Sequence, residues 1–244
     1  MGAGRATTRL DYAPTLIRER AFEFVRRNRA RPFFLYWAAT IPHIHNEGAK
    51  GAPDGGFEAD DLGPYADRPW PVAKKNYAAL VHHLDQDLGR LRTLLDSLGI
   101  ADHTLVIFGS DNGATFLKGS SDGSTDIVGR WFNGTMGYRG FKGDLFDGGL
   151  RVPLIALWPR HTPPGSVSPV RADFTDLHAT LVDVAGGAVP ANIDGRSFLP
   201  ALTGHGTVPP KPFQVWYSPD RNQKAVLEGK WKAVWMNDSC LLYT

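Results

Sequence analysis

One apolar run, Thr104 to Phe108, constrains the fold more than any other stretch of the chain. Its five residues are β-branched or apolar and carry no charge, which is typical of a strand buried on both faces. The run ends at Gly109 and continues into a polar turn, Ser110-Asp111-Asn112-Gly113. Because ligands of open α/β sheets bind just beyond the carboxyl ends of strands, Asp111 and Asn112 are candidate ligands of a divalent cation. The alternative is an Asx-type turn in which both side chains bond to local backbone.

Two further apolar runs predict strands of the same sheet. One is Phe33 to Ala38, which leads to His43, and the other is Arg151 to Trp158. If the first of them runs parallel to 104–108, His43 and Asp111 lie at the same edge of the sheet. His43 is therefore a third candidate site residue.

Apolar residues that recur every three or four positions predict three helices, which cover residues 11–29, 74–98 and 173–185. Short alternating runs within 205–244 predict small antiparallel strands. The whole pattern predicts an α/β fold with a mostly parallel or mixed sheet and helices on both faces. A small antiparallel β appendage follows at the C-terminus.

A glycine-dense segment, Tyr138 to Gly149, carries the fourth candidate, Lys142. Glycine allows the backbone to approach a ligand closely. A lysine in such a loop is either a solvated charge or, beside an anion site, a group that binds the anion or donates a proton to it.

Charge and cysteine content exclude several functions. The 27 Lys and Arg residues against 25 Asp and Glu residues give a net charge of +2, which is not the charge of a nucleic-acid surface. Cys240 is the only cysteine, so an intramolecular disulfide and a cysteine-based metal site are excluded. No run reaches the roughly 20 apolar residues of a transmembrane helix. We therefore expect neither a nucleic-acid nor a membrane partner, and the sequence indicates no particular oligomeric state.

The order of these segments resembles the sulfatase family of the alkaline-phosphatase-like superfamily. The resemblance runs from about Tyr12 to Leu202 and is strongest in 138–158. The segments that carry it are Pro42-His43, Ser110-Asp111-Asn112-Gly113, Gly140-Phe141-Lys142-Gly143, Gly148-Gly149 and Arg151-Val152-Pro153. On this basis, residues 1–204 are part of a sulfatase-like α/β catalytic domain that lacks the N-terminal nucleophile region. Residues 205–244 begin a small C-terminal β subdomain.

The resemblance implies a role for each candidate residue. Asp111 and Asn112 match two ligands of the family's divalent cation, normally Ca²⁺. Lys142 matches a lysine that contacts the sulfate group, and His43 matches a histidine that contacts the sulfate ester and helps the leaving group depart. The implied reaction is hydrolysis of a sulfuric ester, and the implied partner is a sulfated small molecule or glycan.

The family's nucleophile region has no counterpart in the sequence, and neither do the Lys and His residues that flank its nucleophile helix. The family's nucleophile is a formylglycine made from the first residue of a Cys/Ser-x-Pro-x-Arg motif, and no such motif occurs in the 244 residues. The family's early pair of Asp metal ligands is also absent. We therefore expect half of a cation site, no sulfatase turnover by this chain alone, and unpaired sheet edges where a central strand is lacking.

Two other functions agree with the same residues. One is a phosphodiesterase or phosphonate hydrolase of the same superfamily, which also uses a cation site at strand ends. The other is a degenerate, non-catalytic fragment that binds anions or sulfated glycans. The family is mostly exported or lysosomal, yet the residues after Met1 lack the apolar core of a signal peptide, so the compartment stays open.

Overall fold

The structure is a computed structural model that describes residues 10–45, 52–115, 130–236 and 239–243. The chain divides into two compact units. The first unit comprises Met1–Ala101 and Thr115–Gly134, and the second comprises Asp102–Ala114 and Thr135–Thr244.

Two amphipathic α-helices, α1 (Ala13–Asn28) and α2 (Val72–Ser97), are found in the described part of the first unit. Both were predicted from apolar periodicity, and the observed bounds lie within two residues of the predicted ones. Arg18 of α1 and Asp87 of α2 form an ion pair with 3.1 Å between guanidinium nitrogen and carboxylate oxygen. Among the described residues, no helix combines the length and apolarity needed to cross a membrane.

The strand predicted at 33–38 is absent from both described sheets, so that prediction is wrong for the structure described. Its side chains nevertheless alternate as in a strand. The rings of Phe33 and Trp37 make edge-to-face contacts with two phenylalanines of α1 at centroid distances of 5.9 and 5.8 Å, whereas Phe34 and Tyr36 are exposed. An apolar run becomes a strand only where a second strand accepts and donates its backbone hydrogen bonds.

The second unit contains a two-stranded antiparallel sheet formed by β1 (Val106–Gly109) and β2 (Leu154–Leu157). Val106 lies opposite Leu157, and Gly109 lies opposite Leu154. β2 falls inside its predicted strand, and β1 begins inside the predicted run 104–108 and ends one residue beyond it, at Gly109. The expected burial is not seen for β2, since Ile155 is 62% exposed within the described structure.

The described part of the second unit also contains α-helices. The short helix α3 (Asp147–Leu150) lies between β1 and β2, and α4 (Phe174–Val184) and α5 (Leu199–Thr203) lie between β2 and the C-terminal strands. The predicted helix at 173–185 corresponds to α4. Its buried Thr180 hydroxyl accepts a hydrogen bond of 3.0 Å from the amide of Phe198, which fixes the chain that enters α5.

A four-stranded antiparallel sheet ends the chain, as the alternating pattern of 205–244 predicted. Its strands follow one another in order and are β3 (Gln214–Ser218), β4 (Gln223–Glu228), β5 (Trp231–Met236) and β6 (Ser239–Tyr243). One face carries Ala225 and Val234 and packs on Leu145 and Phe146. This inner face therefore lies directly against the glycine-dense segment.

Candidate functional site

The turn that follows β1 carries the two candidate cation ligands. The hydroxyl of Ser110 donates to the carbonyl of Asn112, and the Asn112 side-chain nitrogen donates to the carbonyl of Gly113, each at 3.1 Å. Asn112 thus bonds through its side-chain nitrogen, whereas an Asx-type turn would use its side-chain oxygen as the acceptor. That oxygen is the group that can face a cation. Within the described ranges, the exposed Asp111 carboxylate has no hydrogen bond or ion pair.

Lys142 lies in a tight turn of the glycine-dense segment. The amide of Asp144 donates to the carbonyl of Phe141 at 2.8 Å, and the Asp144 carboxylate accepts from the Phe141 amide at 3.0 Å. Lys142 and Gly143 are the two central residues, and Gly143 has a φ of +90°. This is the geometry of a type II turn, in which glycine is favoured at the second central position. The half-buried Lys142 therefore lies in a turn that is held by a hydrogen bond between its first and last residues.

Two backbone hydrogen bonds join the Lys142 segment to the Asp111 turn. The amide of Lys142 donates to the carbonyl of Ala114 at 2.8 Å, and the amide of Gly113 donates to the carbonyl of Gly149 at 2.9 Å. A Cβ atom on Gly113 would overlap the carbonyl of Gly148, so glycine is required for this approach. The structure thus brings Asp111, Asn112 and Lys142 into one local assembly of the second unit.

The C-terminal sheet supplies further supports that the sequence did not indicate. Gln223, a buried residue of β4, accepts a hydrogen bond of 2.8 Å from the amide of Leu145. The hydroxyl of Ser218 donates to the carbonyl of Gly143 at 2.8 Å. The two partners of each bond lie more than 70 residues apart in the chain, so no local sequence pattern predicts them.

Asp147, the first residue of α3, is the centre of an ionic cluster. Its carboxylate accepts from Lys232 at 2.8 Å and from Arg151 at 2.7 Å, and the Tyr243 hydroxyl lies 3.4 Å away. Burial alone would raise the pKa of Asp147, but the bonds from Lys232 and Arg151 outweigh it and lower that pKa. Burial and the Asp147 charge raise the pKa of Tyr243 to about 12. Sequence reasoning missed this cluster.

His43 belongs to the first unit, whereas the other three candidates belong to the second. It follows the segment 33–38 and lies in a turn in which its amide donates to the carbonyl of Thr40 at 3.1 Å. Its Nδ1 atom lies 2.7 Å from the carbonyl oxygen of Ile44, so the tautomer with a proton on Nδ1 donates to that oxygen. The side chain is exposed.

The donor set suits a hard cation but is small. A carboxylate and an amide oxygen are typical ligands of Ca²⁺, which takes six to eight oxygens. Within the part of the chain that the structure describes, no three His, Cys, Asp or Glu side chains are grouped to hold a metal ion. Asp111 and Asn112 therefore fit as part of a calcium site and do not complete one.

Comparisons with known proteins identify the family of the chain. The family model described as Sulfatase matches residues 7–188. N-acetylgalactosamine-6-sulfatase of Canis lupus familiaris is 33% identical over 228 residues, which cover 90% of this chain and 38% of that protein. Human arylsulfatase A is 34% identical over 207 residues, which cover 83% of this chain and 36% of that protein.

A solved structure is also similar. The crystal structure of Ps i-CgsB in complex with k-i-k-neocarrahexaose superposes with a TM-score of 0.72 at 25% identity, over 98% of this chain and 50% of that chain. The chain thus spans between about a third and a half of the length of these relatives. The match confirms the predicted α/β fold of the alkaline-phosphatase-like class. The chain belongs to the sulfatase family, a family of hydrolases.

Proposed function

We propose that this chain carries sulfate-binding and cation-binding residues of a sulfuric ester hydrolase. The observation that supports the proposal is the backbone connection between the Lys142 turn and the Asp111 turn. Two backbone hydrogen bonds join the segment that carries the cationic Lys142 to the turn that carries the oxygen ligands Asp111 and Asn112. This is the arrangement expected where an anionic group binds between a metal ion and an ammonium group.

Each candidate residue has a defined part in this proposal. Asp111 and Asn112 would hold a divalent cation, most favourably Ca²⁺, and the bound ion would supply positive charge beside the sulfate oxygens. The Lys142 ammonium pairs with the sulfate group and donates a proton to the departing alkoxide. For His43, which lies in the first unit, the family resemblance implies contact with the ester oxygen and help with the departure of the leaving group.

The 244 residues contain no Cys/Ser-x-Pro-x-Arg motif, from which the family's formylglycine nucleophile is made. Cys240 is exposed on β6 and is followed by Leu241 and Leu242. We therefore propose that the chain by itself binds sulfate but does not hydrolyse sulfate esters.

A sulfated sugar is the substrate class that we favour. The proposal draws on the name of the N-acetylgalactosamine-6-sulfatase relative and on the neocarrahexaose complex of the similar structure. A sulfated small molecule offers the same anionic group to Lys142 and the cation. The sulfate group is therefore the part of the substrate that this site recognises.

Titration calorimetry with inorganic sulfate in the presence of Ca²⁺ tests the proposal. We expect Lys142→Ala to weaken sulfate binding by about ten-fold, since a charge-assisted hydrogen bond contributes about 1.5–3 kcal/mol. Lys224→Ala is the matched control, because Lys224 is an exposed lysine of β4 and should leave the affinity unchanged. Equal sulfate affinity in the wild type and Lys142→Ala would contradict the assignment of Lys142.

Phenylphosphonate in the same titration separates the sulfatase from the phosphonate hydrolase alternative. We expect sulfate to bind more tightly than phenylphosphonate at equal Ca²⁺ concentration. The reverse order would favour a phosphonate hydrolase of the same superfamily.

A further inference from the structure

Asp147 connects the candidate site to the C-terminal sheet. Lys232 of β5 donates to the Asp147 carboxylate at 2.8 Å, and its side chain is only 5% exposed. Its ammonium group also lies 5.2 Å from the centre of the Trp216 ring on the same face of the sheet. The buried cation is thus compensated mainly by Asp147, since the Tyr243 and Trp216 rings contribute no full negative charge.

Gly148 and Gly149, which follow Asp147, form backbone hydrogen bonds to the segments that carry the candidate site residues. The Gly148 amide donates to the carbonyl of Arg139 at 2.7 Å, and the Gly149 carbonyl accepts from the amide of Gly113 at 2.9 Å. A Cβ atom on Gly148 would overlap the carbonyl of Gly140. A small displacement of Asp147 therefore also displaces Gly148 and Gly149, which contact Gly113 of the Asp111 turn.

A buried ion pair contributes little net stability compared with well-packed apolar residues, because both charges lose their hydration. The inner face around Lys232 is apolar, with Ala225 and Val234 in the same core. An apolar residue at position 232 would suit that core. What a lysine adds is a directed bond to one oxygen of Asp147, which selects one position for the start of α3.

We propose that Lys232 is a positioning residue for the Asp111–Lys142 site and acts through Asp147. That the two turns form a sulfate-binding site rests on the proposed function. That Lys232 holds them in place rests only on the contacts of Lys232, Asp147 and Gly149. Lys232 does not touch the substrate. It fixes the distance between the cation ligands and the lysine that binds the sulfate group.

Amide hydrogen exchange of the 244-residue chain, followed residue by residue by NMR, measures this positioning directly. The amides of Gly113 and Lys142 are the donors that join the two turns. In Lys232→Met, which keeps the length of the side chain and removes its charge, we expect their exchange to become about ten-fold faster. The amides of helix Phe174–Val184 should keep their wild-type rates. Lys224→Met is the control, because Lys224 lies exposed on the other face of the sheet.

Two results would overturn the proposal. One is unchanged exchange at Gly113 and Lys142 in Lys232→Met. The other is an equal acceleration in helix Phe174–Val184, which would mean a general loss of stability. If Lys232→Met does not fold, Asp147→Asn replaces it under the same criteria, since asparagine keeps an oxygen that can accept from Lys232. We expect a smaller local acceleration there, about three-fold.

A sulfate titration of the same variants separates this inference from the proposed function. We expect Lys232→Met to bind inorganic sulfate several-fold more weakly than Lys224→Met. If the wild type binds no sulfate, the proposed function fails, and the exchange data alone decide whether Lys232 positions the two turns.

Discussion

Single glycines determine how closely the two turns of the site approach each other. Gly113 has no Cβ atom, and one added there would overlap the carbonyl of Gly148. Because both atoms belong to backbone, no side-chain rotation relieves the overlap. We expect Gly113→Ala to lower the free energy of unfolding by about 1–3 kcal/mol. Urea denaturation measures this change.

A second glycine provides the control for that substitution. Gly89 lies within helix Val72–Ser97, and a Cβ atom there would meet nothing within 4 Å. Alanine is a better helix former than glycine, so Gly89→Ala should raise the free energy of unfolding by roughly 0.5–1 kcal/mol. If Gly113→Ala proved as stable as the wild type, that result would contradict the close approach of Gly113 to the Gly148 carbonyl.

At the scale of elements, helix Phe174–Val184 depends on its N-cap residue, Asp173. The Asp173 carboxylate accepts from the amide of Thr175 at 2.9 Å, from Lys211 at 2.8 Å and from Gln214 at 2.7 Å. Burial alone would raise the pKa of Asp173, but the hydrogen bonds from Lys211, Thr175 and Gln214 outweigh it and lower that pKa to about 2. The folded state therefore favours the charged carboxylate.

This lowered pKa predicts a pH dependence of stability. The contribution of the Asp173 charge is present in full above the unfolded pKa of 3.8 and is lost as the pH falls towards about 2. Asp173→Asn keeps a capping oxygen and removes the charge. We expect the wild type to be more stable than Asp173→Asn at pH 6, and the difference to shrink between pH 4 and pH 2.

Urea denaturation across this pH range measures the difference. Asp220→Asn is the control, because Asp220 is exposed and has no ion pair within the described residues. A stability difference between the wild type and Asp173→Asn that stayed constant from pH 6 to pH 2 would contradict the assignment.

Local elements were predictable from the sequence, and contacts between distant residues were not. The bounds of Val72–Ser97 follow from apolar periodicity, which is a property of the segment itself. The run 33–38 has strand composition, yet strand formation depends on a partner elsewhere in the chain. The turns that carry Asp111 and Lys142 were recognisable from glycine and polar residues, but the pair between Asp147 and Lys232 spans 85 residues and left no local signal.

The chain as a whole should respond to Ca²⁺ through Asp111. A ligand that binds only the folded state at ten times its dissociation constant stabilises that state by about 1.4 kcal/mol, or roughly 3–5 °C in Tm for a chain of this size. We expect such a shift at millimolar Ca²⁺, its reversal by a chelator, and its loss in Asp111→Ala. Thermal unfolding followed by circular dichroism measures it. An equal shift in Asp111→Ala would mean that Ca²⁺ binds elsewhere.

For the whole chain, we expect no hydrolysis of sulfate esters by these residues alone. In the proposed mechanism Lys142 donates a proton to the leaving group, and that group departs only when a nucleophile attacks the sulfur atom. Since the 244 residues contain no formylglycine motif, we expect the purified chain to hydrolyse an aryl sulfate no faster than Lys142→Ala does. Release of the phenol, measured by absorbance, tests this expectation.

Cys240→Ser is the matched control for the exposed thiol, and it should release phenol at the same background rate. Turnover by the wild type above the Lys142→Ala rate would show that another group in the chain acts as the nucleophile.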